Sequence, residues 1–177
     1  MSLFELAIPI VLRREGGFVN NVNDPGGATN FGVSLRWLKS QNLLLELEHE
    51  EGDLTQDEVS VVKDMTQSEA ESFYKTKWWD VGNYSAIIPQ AVGTKVFDTA
   101  VNVGPKRAVI FAQQALLLTP DGVLGPKTLT SINATNSITL LNELQHNQAD
   151  FYTRLVASNP ARQPFLKGWL ARAYDKV

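Results

Sequence analysis

Cysteine is absent from the 177-residue sequence, and histidine occurs only at His49 and His146. Without cysteine there is no disulfide framework, thiol nucleophile or cysteine-ligated metal site. The two histidines lie far apart and do not form a metal-binding spacing such as H-E-x-x-H, so we expect neither a metal nor a cofactor. A G-x-S-x-G elbow, the usual signature of a serine hydrolase, is also lacking.

An excess of positive charge and a long apolar run are lacking as well. The formal net charge is -3, which gives no general basic field for nucleic acid. The apolar run from Leu6 to Leu12 is far shorter than the about 20 residues that cross a bilayer. The N-terminus does not have the basic start of a secretory signal, so we expect cytoplasmic synthesis without a signal peptide and no membrane insertion.

What is present is an ordinary globular composition, with 44% hydrophobic and 20% charged residues. Ser2 and Glu5 form a capping box before an apolar helix, which Pro9 should kink or delay and which Gly16-Gly17 should end. Capping residues and helical periodicity predict further helices from Ser34 to Leu43, after Thr55 and Thr66, over about 89–103, 106–118, 126–132 and 137–158, and from Pro164. The sequence therefore predicts a mainly helical body.

Residues 18–33 switch to turn residues and predict an irregular hairpin. Asp24-Pro-Gly-Gly fits a type II turn, and the following proline should fix the direction of Asp24. Glu15, at the end of the first helix, and Asp24 then offer two carboxylates, as glycoside hydrolysis requires. The alternatives are that Glu15 pairs with Arg13 or Arg14, and that Asp24 bonds only its own backbone.

The stretch Glu15-Gly-Gly-Phe-Val through Asp24-Pro-Gly-Gly-Ala-Thr-Asn-Phe-Gly-Val resembles the N-terminal signature of glycoside hydrolase family 108. These are lysozyme-like muramidases of phage or prophage endolysins and of bacterial toxin secretion. The segments Phe97-Asp-Thr-Ala-Val-Asn-Val-Gly-Pro-Lys-Arg-Ala and Asp121-Gly-Val-Leu-Gly-Pro-Lys-Thr-Leu resemble the predicted peptidoglycan-binding region that accompanies it.

The resemblance implies a mainly α, lysozyme-like α+β fold: a helical bundle with the small hairpin beside the active-site cleft. It implies a catalytic region over 1–90 and a peptidoglycan-binding helical region over 91–177. Because no linker of Pro, Gly or Ser separates the two near residue 90, we expect them to pack as one compact body. The expected activity is cleavage of the β-1,4 bond between N-acetylmuramic acid and N-acetylglucosamine, with Glu15 as general acid. Such an acid must keep its proton near neutral pH, which favours a site partly withdrawn from water.

Phage-type lysozymes space a glutamate, eight residues, an aspartate, five residues and a threonine. Glu15 and Asp24 reproduce the first interval, but Thr29 follows Asp24 after only four intervening residues and Asn30 occupies the fifth-interval position. Either residue is therefore a candidate to orient water, and the role of Asp24 in the chemistry stays open.

Aromatic and polar residues further along the chain are candidates for substrate binding. Trp78 and Trp79 are adjacent and point in different directions on a helix, so we expect one in the core and the other stacked on a sugar. Asp98 and Asn102 lie one helical turn apart and either line the cleft or serve the structure. Tyr84 and Asn30 complete the set of substrate-binding candidates.

Two rival functions remain at this point. A lytic transglycosylase also relies on one glutamate but leaves an anhydromuramic product, and a non-catalytic wall-binding protein would use the second half alone. We expect the glycan strands of peptidoglycan as partner, a monomer, and release to the cell wall by a holin or secretion system.

Overall fold

A computed structural model describes residues 1–20, 27–47 and 57–176. In these ranges the chain is mainly helical with one two-stranded antiparallel sheet, which confirms the predicted fold class. The elements are α1 (Phe4–Glu15), β1 (Thr29–Asn30), β2 (Val33–Ser34), α2 (Leu35–Gln41), α3 (Glu58–Asp64), α4 (Gln67–Phe73), α5 (Gln90–Val103), α6 (Pro105–Ala115), α7 (Pro126–Ala134), α8 (Ser137–Ser158) and α9 (Gln163–Tyr174).

Shorter helical turns connect these elements. They are 3₁₀ turns at Leu44–Leu47, Tyr84–Ala86 and Pro160–Arg162, and a π-helical turn at Tyr74–Trp79. Every helix in the described ranges is too short or too polar to span a membrane. The chain divides into two compact units, a smaller one over Val11–Thr76 and a larger one formed by Met1–Ile10 with Lys77–Val177.

Two caps of the smaller unit agree with the sequence. The Ser34 side chain accepts a hydrogen bond from the Trp37 backbone N–H at 3.2 Å and so begins α2. Thr66 and Glu69 form the expected capping box at the start of α4. The predicted capping residue Thr55 and the turn at Asp24 lie outside the described residues.

The larger unit is built around α5, whose residues 92–100 are all buried. Helices α6 and α8 pack against α5, and α9 packs against α8. The buried Lys95 ammonium donates to the backbone carbonyl of Ala173 at 2.7 Å, at the C-terminal end of α9. This bond satisfies a carbonyl that the helix leaves without an internal donor.

The start of α1 differs from the sequence expectation. The Ser2 hydroxyl donates to the Tyr84 carbonyl at 2.7 Å, and the Ser2 backbone N–H donates to the Ile87 carbonyl at 2.8 Å. The predicted capping box with Glu5 is wrong, because α1 begins at Phe4 and Ser2 therefore lies one residue before the N-cap position. The helix already begins at Phe4, so Pro9 does not delay it.

Candidate active site

Glu15 is the last residue of α1, and Gly16 follows it in a left-handed conformation with φ of +73°. Glycine adopts this conformation without steric cost and commonly ends helices in this way. The Glu15 side chain is half-buried. The carboxylate that the sequence singles out is therefore attached to the end of a regular helix, in a position that is neither fully hydrated nor sealed.

The hairpin is a tight two-residue connection. Thr29 pairs with Ser34 and Asn30 pairs with Val33, so Phe31 and Gly32 form the turn. Both turn residues have positive φ, +49° for Phe31 and +78° for Gly32, which is the conformation of a type I′ turn. A phenylalanine rarely adopts this conformation, and such local strain persists only where surrounding contacts hold it.

The turn lies directly against Glu15. A methyl group at position 32 would fall 2.8 Å from both Cβ and Cγ of Glu15 and 2.5 Å from the Tyr74 hydroxyl oxygen. Only glycine lets the backbone approach so closely. The Tyr74 hydroxyl, on a buried side chain, donates to the Phe31 carbonyl at 3.1 Å. The strained turn is thus held by Tyr74, and it packs on the aliphatic part of Glu15.

The two water-orienting candidates on β1 have different surroundings. Asn30 is 5% exposed, and its side-chain amide donates to the carbonyls of Val62, Lys63 and Met65 at 3.2, 3.0 and 3.3 Å. This amide closes the C-terminal end of α3, a structural role. Thr29 is half-buried and, as a strand neighbour of Asn30, faces the opposite side of the hairpin. Asp24 lies outside the described residues.

The expected aromatic binding residues belong to the larger unit. Trp79 and Tyr84 are each 1% exposed and pack edge-on or tilted around Phe97, with ring centroids 5.1 and 5.6 Å from it. Burial raises the pKa of Tyr84 to about 12. These two rings belong to the core and have no face open to a sugar, whereas Trp78 is half-buried.

Asp98 and Asn102 also have structural partners. Asp98 is fully buried, and its Oδ1 accepts a hydrogen bond from the Arg172 guanidinium at 2.9 Å. Asn102 accepts a hydrogen bond from the Tyr152 hydroxyl, which itself accepts one from the Gln148 amide at 2.9 Å. These contacts connect α5 to α8 and α9.

The motif around Asp121 is a structured turn. The Gln113 side-chain NH₂ donates to the Asp121 carboxylate at 2.6 Å, and the Gln113 side-chain oxygen accepts from the Gly122 backbone N–H at 2.8 Å. Hydrogen bonds from the Val123 backbone N–H and from Gln113 lower the pKa of Asp121. Gln113 therefore holds the segment from Asp121 to Val123 as a turn.

Gly32 and Tyr74 were missed as site residues in the sequence. Tyr74 lies 43 positions beyond Phe31, and nothing local indicates that the two meet. The glycine after Phe31 was the available signal, because a two-residue hairpin turn requires positive φ. Within the described part of the chain, His, Asp and Glu side chains do not gather in a group of three or more that could hold a metal ion.

Comparison with known proteins identifies the class. The family model described as Glycosyl hydrolase 108 matches residues 8–104, and the model described as Predicted Peptidoglycan domain matches residues 107–174. The chain belongs to the glycosyl hydrolase 108 family, as the sequence resemblance indicated. It is accordingly a glycoside hydrolase that acts on peptidoglycan.

The solved structure of Brucella abortus SagA is similar to this chain, with a TM-score of 0.73 and 29% sequence identity. The match covers 96% of this chain and 88% of the SagA chain. A comparison with curated proteins gives no match.

Proposed function

We propose that the chain is an N-acetylmuramidase in which Glu15 is the general acid. The observation that carries the proposal is the contact of the Glu15 side chain with the Gly32 turn, which Tyr74 holds from its other side. A general acid must be held within hydrogen-bond reach of the leaving oxygen. The contact with the turn restricts the Cβ and Cγ atoms that carry the Glu15 carboxyl group, as this role requires.

In the proposed reaction Glu15 donates its proton to the glycosidic oxygen as the bond from that oxygen to C1 of N-acetylmuramic acid breaks. Water adds its hydroxyl to C1 and its remaining proton restores the acid form of Glu15, so the products are a reducing N-acetylmuramic acid end and a free hydroxyl on N-acetylglucosamine. General acid catalysis of this kind contributes typically about 10²- to 10⁴-fold. Thr29 is the proposed partner that orients water, together with Asp24.

Trp78 is the substrate-stacking candidate that we retain, because a half-buried indole can still offer part of its surface to a sugar. The proposed site leaves out the other candidates for substrate binding, which are Asn30, Trp79, Tyr84, Asp98 and Asn102. Each of these side chains is buried or engaged in bonds that support the fold.

Product analysis tests the proposed reaction. Purified sacculi are digested with the protein, and the released fragments are examined by mass spectrometry. Reducing N-acetylmuramic acid ends are the expected result. A 1,6-anhydro end, lighter by one water, would instead identify a lytic transglycosylase. Pelleting with sacculi without any released fragment would identify a wall-binding protein.

We further propose that the protein acts on the wall as a monomer after release by a holin or a secretion system. Light scattering coupled to size-exclusion chromatography checks the oligomeric state. A mass near twice the 19.6 kDa of the chain would contradict the monomer.

A further inference from the structure

The larger unit carries a groove of about 380 Å³ between α6 and α8 that the proposed reaction does not use. Its floor is apolar. Phe111 is 4% exposed, its ring centroid lies 5.7 Å from that of Phe151, and Leu155 extends the same surface one turn along α8. The groove lies within residues 107–174, the region that matches the peptidoglycan model.

The rim of the groove is cationic and polar. Arg107 on α6 and Arg154 on α8 line it together with Gln114 and Ser158. The described lining residues include two arginines and no acid, although the chain as a whole carries a net charge of -3. A local pair of guanidinium groups above an apolar floor fits a ligand that combines a carboxylate with small apolar groups.

Both arginines are available to such a ligand. The Arg107 guanidinium carbon lies 4.5 Å from the centroid of the Phe151 ring, a cation–π contact that positions the group without occupying it with an acidic partner. Arg154 has a carboxylate neighbour, Asp150, at 3.7 Å, with both side chains about three-quarters exposed. An exposed pair of this kind is weak, so Arg154 can exchange it for a ligand carboxylate.

We propose that this groove binds the carboxylate-terminated peptide stem of peptidoglycan. In intact peptidoglycan the lactyl group of N-acetylmuramic acid is joined to the stem peptide as an amide, so the free carboxylates are carried by the peptides. A terminal D-alanine presents one α-carboxylate and one methyl group, which match the rim and the floor. The inference depends on peptidoglycan as the substrate but not on the role of Glu15.

The first test needs no variant. Acetyl-D-alanyl-D-alanine and its C-terminal amide are titrated into the wild-type protein, and binding is followed by NMR shifts and calorimetry. Because the amide lacks the charge that the arginines contact, we expect it to bind at least about tenfold more weakly. Equal affinity of the two peptides, or no binding of the acid, would overturn the proposal.

The second test uses a charge-matched pair of variants. Arg107→Gln with Arg154→Gln removes the cationic rim, and Lys167→Gln with Lys176→Gln makes the same charge change at exposed positions outside the groove. Pelleting is measured on intact sacculi and on sacculi whose free carboxylates have been converted to amides by carbodiimide coupling with ammonia. We expect the arginine variant alone to lose about tenfold in affinity for intact sacculi and nothing on amidated sacculi.

Equal losses in the two variants, or a loss on amidated sacculi as large as on intact sacculi, would overturn the proposal. A thermal melt of each variant checks that the fold is intact. The readout throughout is binding, whereas the muramidase proposal is tested by product ends. The failure of one proposal is therefore distinguishable from the failure of the other.

Discussion

Replacing Gly32 by alanine should damage the site much more than the same change at Gly16. Both glycines have a left-handed backbone, with φ of +78° and +73°. A methyl group at position 16 would meet nothing within 4 Å, whereas one at position 32 would fall 2.8 Å from Glu15 Cβ and Cγ. The two variants thus share the conformational cost and differ in the contact with Glu15.

The magnitudes follow from these two effects. Alanine in a left-handed conformation costs about 1–2 kcal/mol, which is the whole effect expected for Gly16→Ala. Overpacking at Gly32 adds about 1–3 kcal/mol, for a total of about 2–5 kcal/mol. Relief of the clash must move Glu15, the turn or Tyr74, and a misplacement of about 1 Å can cost roughly 10²-fold in rate.

Urea denaturation and initial rates of release of reducing ends from sacculi measure the two effects. We expect Gly32→Ala to lose at least about tenfold in rate, and Gly16→Ala to stay within about threefold of wild type. If both variants lose the same stability and the same activity, the contact between the turn and Glu15 does not hold the acid in place. The positioning argument would then be refuted.

Three further predictions concern the residues that support the fold. Asn30→Ala should lower the free energy of unfolding, measured by urea denaturation, by about 1–3 kcal/mol, because it leaves buried carbonyls at the end of α3 without a donor. A smaller loss would contradict the capping role of Asn30. Asp98→Asn should lower the free energy of unfolding by about 3–5 kcal/mol, because it leaves the Arg172 charge without its buried carboxylate. Asp150→Asn, in the exposed pair with Arg154, should lower it by less than about 1 kcal/mol. Equal losses in the two variants would contradict the difference expected between a buried and an exposed ion pair. Tyr84 has its pKa raised to about 12 by burial, so the folded state keeps the phenol proton that the unfolded chain loses near pH 10. Stability should therefore be unaffected by this group below about pH 10 and fall by on the order of 2 kcal/mol between about pH 10 and pH 12, and a Tyr84→Phe variant that retains this fall would contradict the assignment.

Local sequence signals located most of the described helices and the position of Glu15 at a helix end. Ser34 and Thr66 could be assigned as caps because a cap depends on residues three positions away. The long helix Ser137–Ser158 was predicted with the bounds that the structure has. Such features depend on neighbours in the chain, which a single sequence displays.

The remaining features of the fold and of the candidate site depend on contacts between residues far apart in the chain, which a single sequence does not display. Ser2 has the local pattern of a capping box, but its hydroxyl bonds to Tyr84, 82 positions away. The sequence showed that Trp78 and Trp79 point in different directions without showing which of them is buried, since burial depends on how Phe4 and Phe97 pack. Likewise the contacts that distinguish the surroundings of Asn30 from those of Thr29 lie at the end of α3, more than 30 residues away.

The most direct test of the central claim compares Glu15→Gln with Glu5→Gln on the same helix. Glu5 is exposed in the first turn of α1, so its substitution makes the same chemical change away from the hairpin. Initial rates of release of reducing ends from purified sacculi should fall about 10²- to 10⁴-fold for Glu15→Gln, with pelleting retained, and stay at the wild-type level for Glu5→Gln. Undiminished release by Glu15→Gln would contradict the assignment of Glu15 as the proton donor.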